Sequence, residues 1–258
     1  MAANSPDRDR IVIVGAGECG AAAAITLRDH EFAGSISLIG AEKLVPYERP
    51  PLSKASLVSP DEPDPITAVN GNRLADLNVD FVRGVAAEAI DREAMTLNLS
   101  DGRQLPYDRL LLATGARART LPIEGGEHAL TLRTHSDALT IRSQLAADRH
   151  LVVLGAGFIG LEVAASARQL GCRVTVLEMA PAALTRAVPA AIAEVIVSRH
   201  LEEGVDVRFD ARTGTCSIHS ERRCCRAYLG MSRWRYSVQD RKSTRLNSSH
   251  TVISYAVF

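Results

Sequence analysis

A chain of 258 residues with 46% hydrophobic content has room for one large domain or two ordinary ones with buried cores. Its zero formal net charge gives no reason to expect nucleic acid or an anionic membrane surface as a partner, and no long apolar run offers a membrane span. The polar start, Met1 to Arg10, lacks the layout of a secretory signal, so a globular, cytoplasmic protein with neither partner is expected.

In chain order, Ile11 to Val14 is a β-branched run leading into Gly15-Ala16-Gly17-Glu18-Cys19-Gly20 and the alanine-rich stretch Ala21 to Arg28, which predicts strand, tight turn and helix. The apolar Ser35 to Ile39 then completes a βαβ unit. Prolines at 46, 50, 51, 60, 63 and 65 predict an ordered loop and an exposed connection rather than strand. Strand signals return at Val79 to Val82, Met95 to Leu99 and Arg109 to Ala113. Ser100 to Arg103 is a turn between Met95 to Leu99 and Gln104 to Leu112, which predicts a small antiparallel meander.

The pattern restarts at Leu151 to Leu154, with Gly155-Ala156-Gly157-Phe158-Ile159-Gly160, a helix over Leu161 to Leu170 and a strand at Arg173 to Leu177. A helix from about Pro189 to Glu203 and a strand at Val205 to Phe209 follow. The fold class expected is α/β, with two Rossmann-like dinucleotide-binding domains, each a parallel sheet with a small antiparallel meander, and an irregular C-terminal tail. The boundaries read as 1–115, 116–212 and 213–258.

Composition shifts sharply at the last boundary. Residues 1 to 212 carry 22 basic and 28 acidic side chains, while 213 to 258 carry 8 and 2. The tail also holds eight serines, the only tryptophan, and Cys216, Cys224 and Cys225 of the five cysteines. No zinc-like cysteine spacing occurs, so no metal site is expected. Residues 240 to 258 resemble translated sequencing-adapter DNA, so the tail is expected to follow a frameshift; a basic partner-binding tail is the alternative.

Two glycine loops 140 residues apart carry the chemistry. A pyrophosphate is held by backbone N–H groups at a helix N-terminus, where the dipole favours negative charge. Gly15 and Gly155 suit the turn, Gly17 and Gly157 the close approach of phosphate, and Gly20 and Gly160 the packing of helix on strand. Glu178, 23 residues after Gly155, stands where a carboxylate accepts hydrogen bonds from adenosine ribose hydroxyls, which favours NAD(H). A 2′-phosphate ~4 Å from it would cost on the order of 4 kcal/mol per unit charge at an effective dielectric near 20. A solvated strand-end glutamate is the plainer reading of the same residue. Glu42 is the corresponding carboxylate after the first loop.

Other segments sharpen this. Pro46-Tyr47-Glu48-Arg49-Pro50-Pro51-Leu52-Ser53-Lys54 and Tyr107-Asp108-Arg109-Leu110-Leu111-Leu112-Ala113-Thr114-Gly115-Ala116 resemble the NADH-dependent ferredoxin and rubredoxin reductases of bacterial oxygenase systems, within the FAD-dependent pyridine nucleotide-disulfide oxidoreductases. The resemblance covers residues 9 to about 212. It implies that the first loop binds FAD, that Arg49 approaches the FAD phosphates and that Lys54 lies by the isoalloxazine ring. It also implies that Ala113, Thr114 and Gly115 bring backbone close to the cofactor. Glu162 matches a position near the nicotinamide, although a first-turn glutamate also suits the helix dipole.

Cys19 reads as a packing residue, and the chain lacks the CxxxxC pair of the wider superfamily's disulfide reductases, so the resemblance implies a one-electron acceptor, ferredoxin or rubredoxin. The alternatives are an NADH oxidase or nitrite reductase type of flavin reductase, which the PPLSK string disfavours, and a non-catalytic, NAD-responsive flavoprotein. Nothing in the sequence sets an oligomeric state. The resemblance implies a truncated chain without the later Gly-Asp segment, the remaining NAD-domain strands and a C-terminal domain. Exposed apolar surface, poor solubility, weak flavin retention and an inactive fragment are therefore expected.

Overall fold

The computed structural model describes residues 9–69, 72–219, 222–229 and 250–254, with side chains through residue 211. In chain order the elements are β1 (Arg10–Val14), α1 (Glu18–Asp29), β2 (Ser35–Gly40), a 3-10 turn (Pro50–Ser53), α2 (Ala55–Val58), α3 (Arg73–Asp76), β3 (Val79–Arg83), β4 (Ala87–Asp91), β5 (Thr96–Leu99), β6 (Gln104–Pro106) and β7 (Arg109–Leu112). A 3-10 turn (Gly126–His128), α4 (His135–Arg142), β8 (His150–Leu154), α5 (Phe158–Gln169), β9 (Arg173–Leu177), α6 (Ala190–Glu202), β10 (Val205–Arg208), β11 (Ala211–His219), β12 (Arg222–Leu229) and β13 (His250–Ser254) follow. The class is α/β, with parallel sheets and antiparallel additions. Among the described residues no helix is long and apolar enough to cross a membrane.

Two units divide the chain: Met1–Glu48 with Pro65–Ala116, and Arg49–Asp64 with Arg117–Phe258. In the first, a parallel sheet runs β3-β2-β1-β7. Strand β1 is central, and successive side chains leave it on opposite faces. Ile11 and Ile13 join Ala24, Ile36, Leu38, Leu74 and Val79, while Val12 and Val14 join Ile39, Val82, Leu97, Leu99 and Tyr107. The continuous apolar run therefore serves two cores, as a parallel strand covered on both faces requires. The second core is closed by the antiparallel sheet β4-β5-β6.

In the second unit the parallel sheet runs β10-β9-β8-β13, and α5 buries Gly160, Leu161, Val163, Ala164 and Ala167. The proline-rich residues 49–64 belong to this unit rather than to the sheet from which they emerge. Leu52, Ser53, Ser56 and Leu57 are buried, and their segment packs on α4 and α5.

Several local expectations change. Gln104 to Leu112 is two strands: β6 pairs antiparallel with β5, and β7 pairs parallel with β1. Pro106 has no N–H to continue the ladder, and Asp108 turns the chain by gripping Arg10 through its backbone N (2.7 Å) and guanidinium (3.0 Å). Helices α1 and α5 begin three residues before the expected Ala21 and Leu161, placing Gly20 and Gly160 inside their first turns. Pro189 caps α6 instead of standing in its first turn. Strand β4 is mostly exposed and α4 is short, so neither has a strong apolar period.

The expected irregular tail contains strands. β11 and β12 form an antiparallel pair, and β13 lies parallel to β8 with Val252 opposite Val152. Thr251-Val-Ile253 is β-branched and suits the edge it occupies.

Candidate functional site

In the first unit, Gly15 adopts φ +110°, and its N–H donates to the Ile39 carbonyl at 2.8 Å. A side chain there would strike the Ala113 carbonyl, whose own residue bonds back to Val14 at 2.7 Å. The fold thus brings Ala113, from the far end of the unit's sequence, against the loop at Gly15. Thr114 and Gly115 follow it on the surface, Gly115 with φ +64°. A Cβ on Gly20 would overlap the Gly15 carbonyl, so the helix can lie this close to its strand only with glycine.

Gly17 is the N-cap of α1 and offers no side chain to the first-turn amides. A Cβ built on it would meet nothing within 4 Å, which leaves open space in front of those donors. Open space beside uncapped amides at a dipole's positive end fits a pyrophosphate. Glu42, after β2, accepts a 2.6 Å hydrogen bond from the Tyr47 hydroxyl. Cys19 is exposed, contrary to the packing role read from sequence, because the adjacent Gly20 and Ala21 supply the buried side of the first turn.

The second unit repeats the arrangement. Gly155 has φ +107° and donates to Leu177 at 2.8 Å, Gly157 caps α5 without a side chain, and Gly160 lies against the Gly155 carbonyl. Glu178 Oε2 accepts from the Ala156 N–H at 2.7 Å, and Oε1 accepts from the Ala180 N–H at 2.8 Å. One carboxylate therefore braces the loop and the turn that follows β9. A carboxylate has about four acceptor positions, so two remain for ligand hydroxyls.

The residues 49–64 bring a third group together. The Arg49 guanidinium donates to the Arg133 carbonyl, just before α4. Lys54 Nζ lies 2.7 Å from Glu162 Oε2 and donates to the Pro50 carbonyl at 3.1 Å. Ser53 Oγ donates to the same Glu162 oxygen at 2.5 Å. Lys54 and Glu162, 108 positions apart in sequence, thus form one half-exposed constellation. Neither Ser53, which lies within the PYERPPLSK segment, nor Ser166 is singled out by sequence pattern. The one available signal was the four-residue spacing of Ser166 from Glu162, which puts both on one face of α5.

Residues 9–224 match the family model described as pyridine nucleotide-disulphide oxidoreductase. The chain belongs to this family. Among its relatives, rhodocoxin reductase of Rhodococcus erythropolis is 42% identical over 81% of the chain and 49% of its own length. The ferredoxin–NAD(+) reductase component of the anthranilate 1,2-dioxygenase system of Burkholderia cepacia is 43% identical over 76% of the chain and 49% of its own length. The chain spans about half the length of these curated relatives. A crystal structure of a covalent putidaredoxin reductase–putidaredoxin complex superposes with TM-score 0.83 and 34% identity, covering 96% of this chain and 58% of that one.

Proposed function

We propose that this chain is the nucleotide-binding portion of an FAD-dependent reductase that takes electrons from NADH and delivers them to a ferredoxin or rubredoxin of an oxygenase system. The observation that carries the reading is the pair of glycine loops, each closed on its own strand-end carboxylate or returning strand, in one chain with the Lys54–Glu162 constellation. That rhodocoxin reductase and a ferredoxin–NAD(+) reductase component are among the relatives supports the acceptor class, and we place the protein in the cytoplasm. The two domains are proposed to divide near residue 115; the family match, ending at residue 224, runs past the tail boundary expected at 213.

In this reading the first loop, with Gly15, Gly17 and Gly20, holds the FAD pyrophosphate. Ala113 to Gly115 approach the same cofactor, Glu42 accepts from its ribose, and Arg49 serves its phosphates. The second loop, with Gly155, Gly157 and Gly160, holds NAD(H), and Glu178 takes the adenosine ribose. Lys54 supplies positive charge where the flavin ring gains electrons, and Glu162 orients that ammonium and faces the nicotinamide. Bound FAD supplies the exchange between two-electron hydride and one-electron transfer; the protein orients and tunes.

Anaerobic stopped-flow mixing of the FAD-loaded protein, restored to its relatives' full length, with NADH tests this. Loss of the flavin's visible absorbance is expected, and a flavin that stays oxidised would defeat the hydride assignment.

A further inference from the structure

The Lys54–Glu162 pair is held by more than its own charges. Ser166 stands one helical turn beyond Glu162 on α5, is 7% exposed, and its Oγ donates to the Ser53 carbonyl at 2.7 Å. Ser53 returns its hydroxyl to Glu162 Oε2 at 2.5 Å, the oxygen that Lys54 Nζ also reaches. Two side chains of one helix face therefore grip a single residue, one through its backbone and one through its side chain.

The rest of the segment is pinned elsewhere. Arg49 fixes its start through the Arg133 carbonyl. Arg142 Nη2 fixes its far end by donating to the carbonyls of Ser59 (2.8 Å), Pro60 (3.0 Å) and Asp61 (2.9 Å). Neither acts at the level of Lys54. The Ser166 bond ties the Ser53 backbone itself to α5, beside the point where the Lys54 backbone leaves the helix surface.

We propose that Ser166 is a positioning residue for the Lys54–Glu162 pair, holding Ser53 so that its hydroxyl and the Lys54 ammonium converge on one carboxylate oxygen. The inference deepens the reading that this pair serves hydride transfer and rests on it for its purpose.

The test uses the full chain without flavin. Its three lysines are Lys43, Lys54 and Lys242, so competitive acetylation by acetic anhydride, read by peptide mass spectrometry from pH 7 to 10, measures Lys54 against Lys43 as internal reference. In the parent chain Lys54 is expected to react more slowly than Lys43, because its ammonium is held as a donor to Glu162 and to the Pro50 carbonyl. Ser166→Ala is expected to raise the Lys54 to Lys43 ratio about three- to tenfold, the weight of roughly one hydrogen bond. Ser166→Thr, which keeps the hydroxyl, is expected to retain the parent ratio.

Ser166→Cys, close in shape but a weak donor, repeats the measurement if the alanine variant does not fold. In a Glu162→Gln background the Ser166→Ala effect is expected to disappear, an outcome that general loosening of the helix would not give. An unchanged Lys54 ratio in a folded Ser166→Ala or Ser166→Cys chain would overturn the positioning role. Normal Lys54 protection combined with a flavin that NADH does not reduce would instead overturn the hydride reading alone.

Discussion

Glu178 shows how much one side chain carries. Its two oxygens brace the Ala156 and Ala180 amides, so the carboxylate is already oriented before a nucleotide arrives. Preorganisation lowers the ordering cost of binding. Glu178→Gln is expected to preserve much of this shape while removing the charge that repels a 2′-phosphate. Calorimetric titration with NADH and NADPH should show the NADPH:NADH affinity ratio rising at least about tenfold, because removing even a third of a roughly 4 kcal/mol repulsion suffices. An unchanged ratio would remove Glu178 from the ribose site.

Gly15 and Gly155 illustrate a different kind of determination. Their positive φ and the carbonyls packed against their neighbours make glycine a steric requirement, and that requirement was readable from spacing alone. The partners of Glu162 were not readable, because Ser53 and Lys54 reach it only through tertiary folding.

At the scale of elements, the short helix α4 matters beyond its length. Thr134 Oγ1 accepts from the Asp137 N–H at 3.1 Å, and Asp137 Oδ2 accepts from Thr134 N at 2.8 Å and Arg133 N at 2.9 Å. This reciprocal cap fixes the turn whose Arg133 carbonyl receives Arg49, while the other end of α4 presents Arg142 to residues 59–61. Thr134→Ala is expected to cost about 1 kcal/mol in urea unfolding, and Thr134→Ser much less. Amide hydrogen exchange in residues 50–61 should quicken in the alanine variant, and equal protection would uncouple the cap from the segment.

The antiparallel strands show where sequence patterns mislead at this scale. Gln104 to Leu112 reads as one strand because its apolar residues are nearly continuous, yet Pro106 and Asp108 divide it between two sheets. α4 escapes notice because eight residues make too few turns for a convincing period.

For the molecule as a whole, the Arg10–Asp108 clamp ties the starts of β1 and β7 in the first unit. The Asp108 carboxyl is lowered to about 2, first by side-chain hydrogen bonds from Arg10 and then by the Arg10 backbone N–H, against the mild opposing effect of desolvation. An unfolded aspartate titrates near ~3.9. A depressed folded value means the contribution is present above the unfolded value and is lost as pH falls from about 4 towards 2. Asp108→Asn is therefore expected to lower the melting temperature near neutral pH and to flatten its decline below pH ~4. A variant with the parent's acid profile would show that other carboxylates govern it.

The sequence by itself determined the α/β class, the two glycine loops and the central strands. These depend on local periodicity and on glycines that sterics make obligatory, both written within about 30 consecutive residues of each βαβ unit. Only the tertiary structure decided that residues 49–64 pack on α4 and α5, that Ala113 closes the first loop, and that Ser53, Lys54, Glu162 and Ser166 form one cluster. Those arrangements join residues as much as 113 positions apart, and no local pattern encodes a contact whose two halves are ordered only when the core between them forms.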